Sequence, residues 1–429
     1  MSSLRRAFTL IELLIVIAII AILSVVVVLT LNPSAMLQQS RDQNRLSDMD
    51  TLVHALAVTQ TDTNPISLGT SSIVSVSLPD PAATTTAGSN CASLGLPVLP
   101  TGYTYHCAGP SYYRNTNGTG WLGVNFSGYS LGSPLGSLPV DPLNSSSFRL
   151  YYTYTTNGTS YEVTSVMESS KYRLGGTNDV ISGDGGTLAS VYEKGSQLGL
   201  EPLDYGDSSL VGYWTFDEGS GGTAWDYSGN NASGSWSGSQ VGTNGYYSPG
   251  KIGPWAGTFD GSANYVNAGS KIVSSLVNAF TIVAWINPVS LCNTRAFCAI
   301  VGDSYSAFGG GPYGGFNLGL RYSKVEIFSD DTSNGSVEWD TPIASPFTTG
   351  AWGHVAITYD GITFTAYANG NLLASTSTVP HPAVGQKLYL GYTPWAVDYY
   401  PFGGLLDDVR IYNRALSAAQ ISAMYAGGK

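Results

Sequence analysis

Hydrophobic and polar positions along the 429 residues change period three times. Residues 8–31, FTLIELLIVIAIIAILSVVVVLTL, are apolar with hardly a break. As a helix rising 1.5 Å per residue, such a run reaches across a hydrocarbon core of ~30 Å. From 34 to 60, Met36, Leu46, Met49, Val53, Leu56 and Ala57 recur at three-to-four spacing, with Arg41, Asp42, Arg45 and Asp48 between them. That pattern predicts an amphipathic helical stem, on which His54 reads as a face residue rather than a ligand. Asn32-Pro33 between the two runs suits either a capped second helix or a kink in one long helix. Beyond residue 60 the period shortens towards two. Strands are expected at 73–78, in a hairpin formed by 149–155 and 160–167 around Asn157-Gly158, and then at 211–216, 280–286, 354–359, 364–368, 387–390 and 408–412. Strands at this density over the C-terminal half predict two packed sheets with few helices.

Composition agrees with that division. Only 11% of residues are charged, and Gly, Ser, Thr, Asn and Tyr are abundant, which favours strands and polar turns. The net charge of −11 leaves no basic stripe for a phosphate backbone, so nucleic acid is excluded as an expected partner. The four cysteines form two close pairs, Cys91 with Cys107 and Cys292 with Cys298, at spacings unlike a zinc or redox CxxC site. They read as two disulfides, each worth ~2–3 kcal/mol if unstrained.

Arg5 and Arg6 precede the apolar run, so a short leader stays in the cytoplasm and the rest of the chain is sent outward. A secretory signal peptide would have a shorter apolar core ending in small residues. Glu12 is the one anomaly, a carboxylate that costs several kcal/mol in lipid unless it finds a partner. The stretch Arg5-Arg6-Ala7-Phe8-Thr9-Leu10-Ile11-Glu12 closely resembles the processing signal of type IV pilins and pseudopilins, over about the first 60 residues. The resemblance implies cleavage by prepilin peptidase between Ala7 and Phe8 and N-methylation of Phe8. It also implies that Glu12 meets the terminal amine of a neighbouring pilin subunit in a filament. Ala7 stands where the family usually has Gly.

The organisation expected is a leader (1–7), a transmembrane and stem helix (8–60), a small α+β pilin-like module (61–200), a hinge-like linker (201–209) and an all-β head (210–429). In the module, Asn178, Asp179 and Asp184 share one glycine-rich loop, which reads as a solvated turn more readily than as a calcium site. In the head, Tyr213-Trp-Thr-Phe-Asp-Glu-Gly-Ser-Gly, Asp226-Tyr-Ser-Gly-Asn, Phe280-Thr-Ile-Val-Ala-Trp-Ile, Trp352-Gly-His-Val-Ala-Ile-Thr-Tyr-Asp and Gly404-Leu-Leu-Asp-Asp-Val-Arg-Ile-Tyr-Asn-Arg-Ala-Leu occur in this order. Together they resemble a laminin G-like, concanavalin A-like jelly-roll sandwich over residues 208–429, closing with a short helix at 417–425.

Such domains bind glycans or proteins, or act as spacers. Four aromatics, Tyr392, Trp395, Tyr399 and Tyr400, crowd one loop and suit stacking on sugar faces. The resemblance further implies a structural calcium ion near the rim where the first and last strands pair, with Asp217, Asp226, Asn230 and Asp407 as candidate ligands. Period-two alternation would put Asp407 on one face with Val409 and Ile411. Glucanases of this fold carry Glu-x-Asp-x-x-Glu; here Glu338-Trp339-Asp340-Thr341-Pro342-Ile343 lacks the third acid, so an enzyme is not expected. His354 reads as a sheet histidine. The function expected is a pilus or pseudopilus subunit, membrane-bound as a precursor and displaying an adhesive domain on the surface. A minor pseudopilin of a type II secretion system touching cargo is the first alternative, and a surface-anchored glycoside hydrolase the second.

Overall fold

The computed structural model describes residues 9–62, 65–83, 91–292, 297–303, 315–331, 335–344, 346–377, 386–394 and 401–428. It comprises N-terminal helices, a mixed-sheet module and a large antiparallel sandwich.

Helix α1 (Leu10–Leu31) and helix α2 (Pro33–Gln60) are separate. Asn32 has φ 40°, a left-handed conformation that Asn tolerates. Its side chain accepts the Ala35 N–H at 3.3 Å, and Pro33 follows at the first helical position, so one residue ends α1 and caps α2. The 22 residues of α1 rise ~33 Å. Among the described residues alone, no helix is long and apolar enough to cross a membrane. The helical backbone covers the apolar run of the sequence from Leu10 to Leu31.

Helix α2 packs on a five-stranded sheet of Thr104–His106, Ile73–Val76, Tyr152–Thr156, Tyr161–Ser165 and Tyr192–Gly195, in that order, with only the first pair parallel. Met49, Leu52 and Leu56 meet Tyr152, Tyr154 and Val163 in a stem core with Trp121 and Phe126. The charges between the apolar positions are not all on a solvent face. Asp42 and Arg45 are fully buried, and the Arg45 guanidinium forks onto Asp141 (2.6 and 3.0 Å) while bonding Asp42 at 2.8 Å. His54 is exposed.

The head is two sheets over one apolar core. The first runs Asn371–Thr376, Phe364–Ala368, Gly353–Tyr359, Phe280–Pro288, Gly403–Tyr412, Trp255–Asp260, Tyr247–Pro249, with Leu210–Trp214 also paired to Gly403–Tyr412. The second runs Gly335–Asp340, Lys324–Asp331, Gly315–Arg321, Cys298–Gly302, Leu388–Leu390, Tyr265–Gly269, Gly234–Ser237, Thr223–Ala224. First and last strands of the head are therefore partners. Helix α3 (Ala418–Gly427) closes the chain behind a Ser417–Gln420 capping box.

Two sequence expectations need correction. Residues 201–209 are not a solvent-exposed hinge: Glu201, Leu203, Asp204 and Tyr205 are buried, and Tyr205 stacks on Tyr151 with centroids 4.8 Å apart. Asp407 is not on the face of Val409 and Ile411. Asp408 (φ 54°) is a β-bulge, opposite the step between Val283 and Trp285, and the extra residue turns Asp407 to the face of Arg410.

That face is the seam. Tyr213, Val283, Ala356, Tyr367 and Tyr412 of the head, with Ile421 and Met424 of α3, share a third core with Val74, Tyr151, Val166 and Leu188 of the module. The first sheet is thus covered on both faces, and solvent is left to the outer face of the second.

Candidate functional site

At the N-terminus, Ala7 and Phe8 lie outside the described residues. Glu12 is the third residue of α1 and closes a capping box: its Oε2 accepts the Thr9 N–H at 2.8 Å and the Thr9 hydroxyl at 2.9 Å, while Thr9 Oγ1 accepts the Glu12 N–H. Its carboxylate stands at the helix's positive end, on an exposed surface that is otherwise apolar.

Both cysteine pairs are disulfides, Cys91–Cys107 and Cys292–Cys298, with Cα separations of 5.6 and 6.2 Å. The first sits in the seam core and the second in the sandwich core.

On the outer face of the second sheet three tyrosines meet. Tyr392 stacks on Tyr265 (4.6 Å, 19°), and Tyr389 stands edge-on to both, 5.7 Å from Tyr265 and 5.5 Å from Tyr392. All three are half-buried. Register explains the grouping: Val266 faces Leu390 and both point into the core, which sends Tyr265 and Tyr389 outward from adjacent strands. Sequence reasoning named Tyr392 and missed the other two, although Tyr265-Val-Asn-Ala and Leu388-Tyr-Leu carry the alternation that exposes them. Trp395, Tyr399 and Tyr400 lie outside the described residues.

The carboxylates singled out as calcium ligands are engaged by backbone amides. Asp226 accepts the N–H groups of Tyr213 (3.0 Å), Ser228 (2.9 Å) and Ala232 (2.8 Å). Asn230 donates to Leu210 O and Ser228 Oγ. Asp407 Oδ2 accepts from Lys251 and Ile252 (2.7 and 2.9 Å), and Asp217 from Trp255 (3.0 Å), so these two face the 250–255 loop while Asp226 and Asn230 serve a different turn. Among the described residues no group of three or more His, Cys, Asp or Glu is arranged to hold a metal. The four do not fit one calcium ion. Burial holds Asp217 up at about 7, and burial together with Asp408 holds Asp407 well above the usual carboxylate range. In the module, Asp179 and Asp184 likewise accept backbone amides, from Gly175, Ile181 and Ser182 and from Gly186 and Glu193.

In the Glu-x-Asp segment, Asp340 lies across the ladder from Glu326, whose carboxylate is paired with Arg321 at 3.0 Å. The Glu338 side chain is outside the described set. His354 is buried in the seam edge-on to Trp285 (5.1 Å), and burial lowers its pKa to about 3, so it is neutral.

The seam has its own polar centre. Arg410, fully buried, donates to Thr187 O of the module (2.8 Å) and to Tyr213 Oη (2.7 Å), and the Tyr213 hydroxyl donates to Asp408 Oδ1 (2.6 Å). These partners lie up to 223 residues apart. No local pattern could have joined them.

Two family models match the chain: the prokaryotic N-terminal methylation motif at residues 2–28, and the concanavalin A-like lectin/glucanases superfamily, laminin G-like, at residues 260–422. No curated protein matches. Among solved structures, the chain is similar to domain 4 of AbnA, a GH43 extracellular arabinanase from Geobacillus stearothermophilus, in complex with arabinotriose (23% identity, TM-score 0.38, covering 51% of this chain and 98% of that one). It is also similar to the Ruminococcus gnavus IT-sialidase CBM40 bound to alpha2,3 sialyllactose (20%, TM-score 0.31, 36% and 86%). A third likeness is to the receptor binding domain of botulinum neurotoxin C/D mosaic serotype (19%, TM-score 0.38, 51% and 51%). The chain thus joins a type IV pilin methylation signal to a concanavalin A-like domain of the laminin G-like kind.

Proposed function

We propose that this chain is a structural and adhesive subunit of a type IV pilus or related pseudopilus, carrying a saccharide-binding head outside the cell. The observation that carries the reading is the seam. A head that shares a buried core with the module, which in turn is clamped to the stem through Arg45, takes its position from the stem. A filament built on α1 therefore presents each head in one orientation. Prepilin peptidase releases the leader, the membrane holds α1 before assembly, and neighbouring pilin subunits hold it afterwards. The open tyrosine face supports saccharide stacking: Tyr265, Tyr389 and Tyr392 offer aromatic surface and hydroxyl groups together.

Two variants test the two halves. Glu12→Ala should be cleaved normally after Ala7, read by mass spectrometry of the mature N-terminus, yet be missing from sheared surface filaments. Normal incorporation would sink the filament reading. Tyr265→Ala with Tyr392→Ala should weaken glycan-array binding about tenfold, the equivalent of ~1.4 kcal/mol, with little change in melting temperature. Full binding by that variant removes the tyrosine face from consideration.

A further inference from the structure

Where the module meets the head, the seam opens into a cleft of about 580 Å3, inside the ~300–1,000 Å3 range of ligand sites. Arg149 and Arg173 of the module and Arg414 of the head all line it. Asp207 lines it too and pairs with Arg414 at 2.6 Å, which leaves Arg149 and Arg173 as the excess positive charge of the cleft in a chain with only 18 Lys and Arg against 29 acids.

Most described arginines of this protein have carboxylates, although Arg114 is held by Leu138 O and Ser137 Oγ. Arg41, Arg45, Arg321, Arg410 and Arg414 each lie within salt-bridge distance of one. Arg149 and Arg173 have no carboxylate partner among the described residues. Each is held instead by a single N–H to a backbone carbonyl, Arg149 Nη1 to Tyr205 O at 3.0 Å and Arg173 Nε to Met167 O at 2.7 Å. Arg149 Nη2 and both terminal nitrogens of Arg173 have no acceptor among the described residues. Two guanidiniums oriented by the backbone, with forks left open in one cleft, are built for planar anions. Arg149 also holds φ 56°, in the left-handed region that a residue with a side chain rarely adopts.

We propose that this cleft binds a carboxylated oligosaccharide, with Arg149 and Arg173 taking the carboxylates. Saccharide is favoured over acidic peptide by the rest of the rim, where Ser170 and Ser208 offer hydroxyls and the Phe148 ring is 73% exposed beside Arg149. A phosphate backbone would need a basic stripe, and there is none. This site is separate from the tyrosine face and does not rest on it.

The test uses the full chain in detergent, titrated with oligogalacturonate and with hyaluronan fragments. Controls are methyl-esterified oligogalacturonate, which keeps the sugar and loses the charge, and poly-glutamate, which does the reverse. Binding to at least one carboxylated saccharide, weakening as salt rises, and at least tenfold weaker in Arg149→Gln/Arg173→Gln, is the expected result. Arg173→Gln alone should also lose affinity; its side chain is exposed, so the variant folds. Arg149→Lys keeps charge without the fork and should bind more weakly than wild type. The proposal is overturned by no binding to either acidic saccharide, by equal binding to the methyl ester or to poly-glutamate, or by unchanged affinity in folded arginine variants. The arginine variants report on this cleft and the tyrosine variants on the sheet face, so either reading can fail while the other stands.

Discussion

Two fully buried arginines hold the two joints of this molecule, and they are satisfied differently. Arg45, at the joint between stem and module, uses Nε and Nη2 on Asp141 and Nη1 on Asp42, with Glu168 3.4 Å away. Those acids are themselves anchored: Asp42 accepts the N–H groups of Glu168 and Ser169, and Asp141 those of Leu143 and Asn144. Arg410, at the joint between module and head, has two good acceptors on Nη2. Its Nε has none, and its Nη1 lies 3.0 Å from Asp408 without hydrogen-bond geometry. The Tyr213 ring sits 4.2 Å beneath it. The stem joint is an ionic clamp set into a helix face. The seam is an apolar interface, and its arginine chiefly fixes orientation.

The largest effect should come from Arg45→Ala. Removing Arg45 leaves two buried carboxylates, Asp141 and Asp42, with their backbone amides but without a counter-charge, at a cost of ~3–5 kcal/mol, measurable by urea unfolding of the detergent-solubilised chain. Arg410→Ala should cost less, about 2 kcal/mol, because Asp408 keeps the Tyr213 hydroxyl and the surrounding core stays packed. If the seam variant proves the more damaging, the contrast between the joints is wrong.

A smaller effect concerns pH. Burial holds Glu162, Glu201, Asp217, Glu218 and Asp303 up at about 7. Each keeps its proton longer in the folded chain than in the unfolded one, so its contribution is complete below ~4 and is lost as pH rises through 7. His354, lowered to about 3, works the other way: its contribution is present above ~6.5 and lost as pH falls from there. Asp260, lowered to about 2, adds a loss only in strong acid; burial opposes the shift, and the amides of Asn264, Ala263 and Ser262 outweigh it. Five carboxyls against one imidazole put the stability maximum set by these groups near pH ~4. The melting temperature should fall between pH 5 and 8, and Asp303→Asn should flatten that fall. A flat or rising wild-type profile would contradict it.

The smallest effect expected is from a chelator. Head carboxylates that already accept backbone amides should leave the melting temperature the same in EDTA as in added calcium. A drop in EDTA would mean that the amide account of Asp217, Asp226 and Asp407 is incomplete.

Much of the fold was legible locally. The strands expected at 364–368 and 354–359 form at Phe364–Ala368 and Gly353–Tyr359, and the terminal helix forms behind its Ser417 cap. Period-two and period-3.6 patterns record which side of an element meets a core, and that information lies within a few residues. It failed at Asp407, where a single bulged residue reversed the faces, and at residues 201–209, whose polar composition read as a hinge. Asp204 is buried there because its carboxylate accepts the amides of Ala189 and Ser190, and Glu201 because it accepts the hydroxyls of Thr153 and Thr155.

The sequence by itself determined the apolar run with Glu12 set into it, an interruption at Asn32-Pro33 that the structure resolved as a capped break, the cysteine pairs, and a head of alternating strands. Each of these depends on neighbours in the chain. Only the tertiary structure decided which charges are buried, how the module and head share one core, and that Tyr265 and Tyr389 join Tyr392. The same holds for Arg149 and Arg173, which meet Arg414 in one cleft. Those outcomes turn on contacts between residues one or two hundred positions apart, where desolvation and partner geometry, rather than local period, set the free energy.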